Sequence, residues 1–239
     1  MLKFFAALLL VCSGWVQAQD ALQTDLPLSY LAEVNTQARD KPLVIFMHGY
    51  GSNEQDLFGI KNALPGDYNY LSVRAPVQLR PGAYQWFTQK PNTAQYDGVT
   101  IDLKRSGELL SRFIKAAAEK YHTQSSQVFL VGFSQGAIMS YEVALRHPES
   151  VGGIAALSGR LLPVLRSELK ASPTLAGLNV FIAHGTADAR LPFSGAKDAR
   201  TFIETLGITP EFHSYSGVGH TISEAEIDDL DAWLKKVAG

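Results

Sequence analysis

Short, unbroken runs of apolar residues recur along the chain, and most are followed by a polar loop and a segment with helical periodicity. Because these runs do not alternate polar with apolar residues, they predict strands that are buried on both faces, as in a parallel sheet covered by helices. The clearest runs are Leu43–Met47, Leu71–Val73, Val128–Val131, Ile154–Leu157 and Val180–Ala183. Residues 29–34 suggest an earlier, antiparallel strand, and residues 210–215 suggest a last one.

Between these runs lie segments predicted to be helices, and in residues 102–121 the apolar residues recur at close to a helical period. The predicted helices are residues 102–121, 137–146 and 193–206, and a last helix that begins after Ser223 with Glu226 completing a capping box. Strands that alternate with helices predict a single α/β domain with a mainly parallel sheet. Residues 78–98, rich in Pro, Gly, Gln and Asn, are predicted to be an irregular surface loop suited to forming a pocket wall.

The first residues have the pattern of a secretory signal peptide. A positive start at Lys3 precedes the apolar run Phe4–Val11, and the small residue Ala18 marks the expected cleavage site. We therefore expect residues 1–18 to be removed and residues 19–239 to form one exported domain, periplasmic or secreted. A stable membrane anchor is disfavoured because the run is shorter than the roughly 20 residues that span a bilayer. Lipid attachment at Cys12 is disfavoured because Val11 is bulky.

Composition narrows the classes of partner. The formal net charge of −2 over 239 residues gives no basic surface for nucleic acid. Cys12 is the one cysteine, so the mature chain would have no disulfide, cysteine nucleophile or thiolate metal site. No cluster of His, Asp and Glu has metal-ligand spacing, so we expect neither metal nor cofactor. A small, neutral or weakly polar molecule is the expected partner, and the oligomeric state stays open.

The run Val128–Val131 leads into the most informative motif of the chain, Gly132-Phe133-Ser134-Gln135-Gly136, which opens a predicted helix. In a strand–turn–helix of this kind a sharp turn exposes the serine hydroxyl, and the glycines permit close backbone approach. The positive end of the helix dipole favours negative charge at the serine. The motif predicts a nucleophilic Ser134 on an α/β-hydrolase fold.

A serine hydroxyl needs a base, and in this fold the acid and then the histidine follow it on loops after later strands. Asp188 follows the run that ends at Ala183, and His220 lies between the last strand and the last helix. We expect Ser134 to attack the carbonyl, His220 to transfer the proton, and Asp188 to orient the imidazole.

Other candidates for these roles fit less well. His213 lies within a predicted strand and Asp198 within a predicted helix, so both are interpreted as structural residues. His122 and His147 close helices and are expected to be solvated. His184, before Gly185, is interpreted as a hydrogen-bonding structural residue.

An oxyanion formed by this attack requires preorganised N–H donors. The backbone N–H of Gln135, after the nucleophile, is one expected donor, and that of Tyr50, between Gly49 and Gly51, is the second. Because both donors are backbone atoms, changes to the side chains of Tyr50 and Gln135 are expected to be a poor test of these two donors.

These motifs together resemble the phospholipase/carboxylesterase family, which includes bacterial carboxylesterases and acyl-protein thioesterases. The resemblance rests on His48–Phe58, Trp86-Phe87, Gly132–Ala137, His184–Asp188 and Gly217–Ser223, and extends from Leu43 to the C-terminus. It implies an α/β-hydrolase without a large lid that cleaves carboxylic esters or thioesters without a cofactor, with oxyanion donors at Tyr50 and Gln135. Members of the family are often cytoplasmic, and the export signal departs from that.

The sequence therefore predicts a serine carboxylesterase that acts on esters of small to medium acyl chains through an acyl-enzyme intermediate. A lysophospholipase or thioesterase is the first alternative, since the same triad serves all three. A non-catalytic secreted binding protein is the alternative of another class. Trp86, Phe87 and Leu191 are candidate acyl-binding residues, and core packing explains each of them equally well.

Overall fold

The seven-stranded sheet places the carboxyl ends of six parallel strands at one edge. The computed structural model describes residues 21–34, 40–93 and 96–239; the predicted signal peptide and its cleavage site lie outside these ranges. The strands of the sheet are β1 (Tyr30–Glu33), β2 (Leu43–Met47), β3 (Asn69–Val73), β6 (Val128–Phe133), β7 (Gly153–Leu157), β8 (Asn179–Gly185) and β9 (Glu211–Tyr215). Their order in the sheet is β1-β3-β2-β6-β7-β8-β9, in which β1 is antiparallel to β3 and every other pair is parallel.

The predicted strands and helices are confirmed, with ends that differ by up to two residues. The helices are α1 (Thr100–Lys120), α2 (Gln135–Ala144), α3 (Pro163–Glu168), α4 (Pro173–Ala176), α5 (Ser194–Thr205) and α6 (Glu224–Ala238). The short α3 and α4 were not predicted, because six and four residues are too few to establish a helical period. Ser223 caps α6, its hydroxyl accepting a hydrogen bond from the N–H of Glu226 at 3.3 Å.

Two apolar clusters lie on opposite faces of the sheet. Side chains of β2 alternate between them: Leu43, Ile45 and Met47 point to one cluster, and Val44 and Phe46 to the other. The first cluster packs against α1, α2 and α5, and the second against α6 and the short 3₁₀ helix Phe58–Ala63. Burial on both faces explains why the strands read as unbroken apolar runs.

The prediction of an irregular surface loop over residues 78–98 was wrong in two respects. The segment begins in an antiparallel hairpin, β4 (Val77–Arg80) and β5 (Ala83–Gln85). Gly82 closes the hairpin with a φ of 74°, a left-handed conformation that glycine adopts without strain. Although β4 is exposed, Trp86 and Phe87 directly after the hairpin have no exposed surface. The Pro, Gly, Gln and Asn residues of this segment led to the prediction of a loop, although the segment contains a hairpin and two core residues.

Candidate active site

Ser134 stands on a strained turn between β6 and α2. Its φ of 56° and ψ of −115° lie outside the conformations that L-residues ordinarily adopt. The flanking glycines allow this turn: a Cβ on Gly132 would lie 2.4 Å from the Gly136 carbonyl, and one on Gly136 would lie 2.0 Å from the Met47 oxygen. The backbones of β2, β6 and α2 therefore meet at this point, and the hydroxyl of Ser134 is held at the carboxyl edge of the sheet.

His220 joins the other two predicted triad residues. Its Nε2 lies 2.9 Å from the Ser134 hydroxyl, and its Nδ1 lies 2.7 Å from Oδ2 of Asp188. The ring packs on Phe133 at 4.9 Å between centroids and retains 11% exposed side-chain surface. Since the Asp188 carboxylate only accepts, Nδ1 carries the proton, which leaves Nε2 free to accept one from the serine.

Asp188 is held by contacts to both of its oxygens. Oδ1 accepts the backbone N–H groups of Arg190 at 2.8 Å and Leu191 at 2.9 Å. Oδ2 contacts His220 and, at 3.2 Å, Nε2 of His184. The side chain has no exposed surface. These contacts fix which oxygen faces His220.

His184 contacts Asp188 and does not contact Ser134, which agrees with its interpretation as a structural residue. Its Nε2 lies 2.7 Å from the carbonyl of Leu191 and 3.2 Å from Asp188, both acceptors, so Nε2 is the protonated nitrogen. Burial lowers the pKa of His184, which keeps the ring neutral.

The rival candidates lie away from the serine. His213 in β9 contacts Glu211 at 3.2 Å and Asp229 at 3.0 Å. Asp198 is in α5 and, like the exposed His122 and His147, has no contact with the triad. The structure therefore brings Ser134, His220 and Asp188 together and leaves these rival residues apart from them.

The two predicted oxyanion donors flank Ser134. Gln135 is the first residue of α2, so its N–H has no acceptor within the helix. Gly49, before Tyr50, borders the nucleophile closely, because a Cβ on Gly49 would lie 3.3 Å from the Cβ of Ser134. Among the described residues, no backbone carbonyl accepts the N–H of Tyr50. Both groups are therefore available to an oxyanion formed at Ser134.

The side chain of Gln135 makes structural contacts that the sequence analysis did not predict. The side chain is fully buried, and its Oε1 accepts the N–H of Trp86 at 3.0 Å. Its Nε2 donates to the carbonyl of Phe87 at 3.0 Å and to the hydroxyl of Tyr96 at 2.9 Å. The amide therefore connects the serine turn to the segment after β5. This contact is long-range, so no local sequence pattern predicts it. Tyr50, by contrast, is 52% exposed.

The three candidate acyl-binding residues are almost completely buried. Trp86 and Phe87 have no exposed surface and Leu191 has 4%, and all three belong to the first apolar cluster. Trp86 also donates its indole N–H to the carbonyl of His48 at 2.9 Å. A side chain without exposed surface has none to offer a ligand, which favours the core-packing interpretation of Trp86 and Phe87.

His48, Ser158 and Glu54 are buried polar residues near this edge that the sequence analysis did not single out. Glu54 forms a two-pronged ion pair with Arg74 at 2.6 Å, which secures the segment after the Tyr50 loop to the end of β3. His48 directly follows β2, and that position before two glycines was the signal that could have drawn attention to it. Over the described ranges, no three His, Cys, Asp or Glu side chains cluster as metal ligands would.

A membrane-spanning helix is not found in the part of the chain that the structure describes.

Comparison with known proteins identifies relatives of this chain. The model of the phospholipase/carboxylesterase family matches residues 29–238. Carboxylesterase SOBER1 of Arabidopsis thaliana is 34% identical over 115 residues, 48% of this chain and half of that protein's length. Acyl-protein thioesterase 1 of Debaryomyces hansenii is 29% identical over 220 residues, 82% of this chain and 93% of that protein.

A solved structure agrees with this result. The crystal structure of esterase PE8 matches with a TM-score of 0.75 and 27% identity, covering 88% of this chain and 99% of that one. The shared fold includes the mainly parallel sheet with helices on both faces. This chain therefore belongs to the phospholipase/carboxylesterase family and has the α/β-hydrolase fold.

Proposed function

We propose that Ser134, His220 and Asp188 form the catalytic triad of a serine carboxylesterase. The protein is a carboxylic ester hydrolase, and the observation that carries the assignment of residues is His220, with Nε2 2.9 Å from the Ser134 hydroxyl and Nδ1 2.7 Å from Asp188. These distances lie within the range for nucleophile–base and base–acid hydrogen bonds.

The proposed reaction proceeds in two halves. Ser134 Oγ attacks the ester carbonyl while His220 Nε2 takes the hydroxyl proton, and the N–H groups of Tyr50 and Gln135 stabilise the oxyanion. The tetrahedral intermediate collapses, the C–O bond to the alcohol breaks, and His220 returns the proton to the departing oxygen. Water then attacks the acyl-enzyme, with His220 again as base, and the carboxylic acid leaves with Ser134 regenerated.

The test is Ser134→Ala in the purified protein with a p-nitrophenyl ester as substrate. Turnover is expected to fall by about 10⁴- to 10⁶-fold, as in other serine triads. A fluorophosphonate probe should label the wild type and not the variant, and circular dichroism should show that the fold is unchanged. Retained hydrolysis by the variant would refute the assignment.

The acyl group is proposed to be small to medium in length. A thioesterase or lysophospholipase is the second candidate, and the match to an acyl-protein thioesterase over 93% of that protein's length favours it. The triad serves either leaving group, so turnover of oxygen esters and thioesters of two to sixteen acyl carbons separates the candidates. Preference for short oxygen esters supports the first proposal, and preference for long-chain thioesters or lysolipids supports the second.

A non-catalytic binding protein is the alternative of another class. The joined triad and the two available N–H donors argue against it, because a protein that only binds has no need to align a base with a serine. Failure of the wild type to react with the fluorophosphonate probe would favour this alternative.

We also propose that the enzyme is exported, to the periplasm or beyond the cell, and meets its ester there. The support is the pattern of Lys3, Phe4–Val11 and Ala18, which is that of a cleavable signal peptide.

A further inference from the structure

His48 is a fully buried imidazole at the point where β2 enters the loop that carries Tyr50. Its Nδ1 lies 2.7 Å from the carbonyl oxygen of Gly49, and its Nε2 lies 3.1 Å from the backbone nitrogen of Ala75, just beyond β3. The ring thus connects the loop to the neighbouring strand end. No step of the reaction described above uses it.

The two partners determine which nitrogen of His48 carries the proton. The N–H of Ala75 only donates, so Nε2 must be the accepting, unprotonated nitrogen. The carbonyl of Gly49 only accepts, so Nδ1 must donate to it. Burial lowers the pKa of His48, in accord with a neutral ring.

The short bond from His48, together with a longer bond from the N–H of Ser52 to the same carbonyl at 3.4 Å, fixes the orientation of the peptide group that Gly49 shares with Tyr50. The carbonyl of Gly49 and the N–H of Tyr50 belong to one planar unit, which is trans, because the described residues include no cis peptide bond. In a trans peptide the two groups point in opposite directions. A carbonyl held towards the buried ring therefore turns the Tyr50 N–H away from the interior, on the loop that borders Ser134.

The peptide group between His48 and Gly49 is also held by a buried hydrogen bond. Its partner, Trp86, contacts the side chain of Gln135, the residue that carries the second oxyanion donor. The carbonyl of His48 accepts the indole N–H of Trp86 at 2.9 Å, and the backbone N–H of Trp86 donates to the Gln135 side chain at 3.0 Å. Trp86 also has its own carbonyl bonded to the hydroxyl of Ser106 at 2.5 Å. One buried hydrogen-bond network therefore connects the backbone segments that present both donors.

We propose that His48 is a positioning residue of the oxyanion hole: by donating Nδ1–H to the Gly49 carbonyl, it aims the Tyr50 N–H at the oxyanion formed on Ser134. The proposal rests on the ester hydrolysis proposed above. Preorganised donors stabilise the transition state without affecting the ground state equally, so a misaimed Tyr50 N–H lowers kcat more than it raises KM.

The test compares two variants that each retain one half of the imidazole. In His48→Asn the amide nitrogen takes the place of Nδ1 and donates to Gly49; in His48→Gln the amide oxygen takes the place of Nε2 and accepts from Ala75. We expect His48→Gln to lose on the order of 10- to 100-fold in kcat with little change in KM, since outright loss of a donor costs about 10²- to 10³-fold. His48→Asn should recover most of this loss.

A boronic acid supplies a second readout, because its boron bonds to Ser134 Oγ and becomes a tetrahedral anion at the oxyanion site. Its affinity should fall in His48→Gln in proportion to kcat/KM. His147→Gln, at an exposed histidine outside the site, is the matched control and should match the wild type in both measurements. Thermal unfolding of each variant, with active-site titration, separates loss of folded protein from loss of turnover per site.

The proposal is overturned if folded His48→Gln retains kcat within twofold of the wild type, or if Asn and Gln lower it equally. If neither variant folds, ¹⁵N chemical shifts of histidine in the wild type decide: protonated Nδ1 and bare Nε2 at His48 support the proposal, and the opposite tautomer overturns it. A wild type that neither hydrolyses esters nor takes the fluorophosphonate label instead refutes the proposed function, and the tautomer measurement is independent of that result.

Discussion

At the scale of single residues, the site depends on proton positions that neighbouring backbone groups impose. The oxygen Oδ1 of Asp188 is occupied by the N–H groups of Arg190 and Leu191, so Oδ2 is the oxygen that meets His220. This arrangement sets the tautomer of His220 and leaves Nε2 unprotonated, as the proposed role of base requires. The imidazole of His220 thus lies between the carboxylate and the hydroxyl of Ser134.

Asp188→Asn is expected to reduce kcat by about 10⁴-fold at neutral pH, as in a serine protease triad. The two backbone donors retain the amide oxygen of the variant at the Oδ1 position, so the NH₂ group faces His220. Nδ1 must then accept, Nε2 carries the proton, and the ring is unable to take one from Ser134. Steady-state kinetics give the measurement; a loss of less than tenfold in folded protein would contradict this account.

At the scale of elements, the serine turn depends on how closely α2 approaches β2 and β6. Gly136 packs so closely against the backbone oxygen of Met47 that a Cβ atom would not fit between them. Gly132 meets the start of α2 in the same way. The glycines of the motif are therefore packing requirements of the strand–turn–helix unit, and the strained backbone of Ser134 follows from that packing.

Gly136→Ala is expected to lower the free energy of unfolding by about 3 kcal/mol, because the new methyl group forces backbone apart from backbone. Chemical denaturation measures the change. Gly59→Ala is the control, since a Cβ there meets nothing within 4 Å. Equal stability of the two variants would show that α2 shifts without cost.

A second prediction concerns α6. Glu226, in the first turn of α6, is fully buried, and this burial raises the pKa of its carboxyl group to about 7. The backbone of Ser223 partly offsets the rise in pKa, and the negative charge of Asp229 adds to it. Below pH 4.5 the folded and unfolded states are both protonated there. Between pH 4.5 and 7 only the unfolded state ionises, so stability is lost as pH rises through this window.

Glu226→Gln removes this penalty. The variant should match the wild type near pH 4 and exceed it by about 2 to 3 kcal/mol at pH 8. Urea denaturation across this range gives the measurement. Glu224→Gln, at an exposed position in the same turn, should leave the pH dependence unchanged. A difference between Glu226→Gln and the wild type that is constant with pH would contradict the prediction.

At the scale of the whole molecule, two apolar layers hold the sheet, and the site is assembled from loops at one of its edges. Ser134, Asp188 and His220 follow β6, β8 and β9, and Tyr50 follows β2. A parallel sheet brings these strand ends together although they are far apart in sequence. The scaffold contributes position, and the loops contribute chemistry.

Export would change the composition of the whole molecule by removing the signal peptide. We expect the mature protein from a periplasmic or culture fraction to begin at Gln19 and to contain no thiol, because Cys12 is the one cysteine of the chain. Intact mass and a thiol reagent test both points. A full-length protein with a reactive thiol in that fraction would contradict signal cleavage.

Activity is expected to be insensitive to chelators. The proposed reaction needs only a serine, an imidazole, a carboxylate and two N–H groups, all from this chain. Turnover should be the same before and after dialysis against EDTA. Inhibition that added zinc or calcium reverses would contradict the prediction.

The sequence by itself determined the seven strands of the main sheet, the four long helices and the identity of the triad candidates. Strands buried on two faces require unbroken apolar runs such as Leu43–Met47. The turn at Ser134 requires glycines within two residues of the serine. These are short-range constraints, so a linear pattern is enough to recognise them.

Only the tertiary structure decided how distant polar groups satisfy one another. The bonds from Gln135 to Trp86 and from His48 to Ala75 connect segments that are 49 and 27 residues apart, and no spacing along the chain encodes them. Burial of Trp86 and Phe87 was equally undetermined, because an aromatic pair fits a pocket wall or a core alike until the surrounding layers close over it. The physical reason is that hydrogen-bond partners and burial are properties of the packed chain, whereas strand and turn preferences are properties of neighbouring residues.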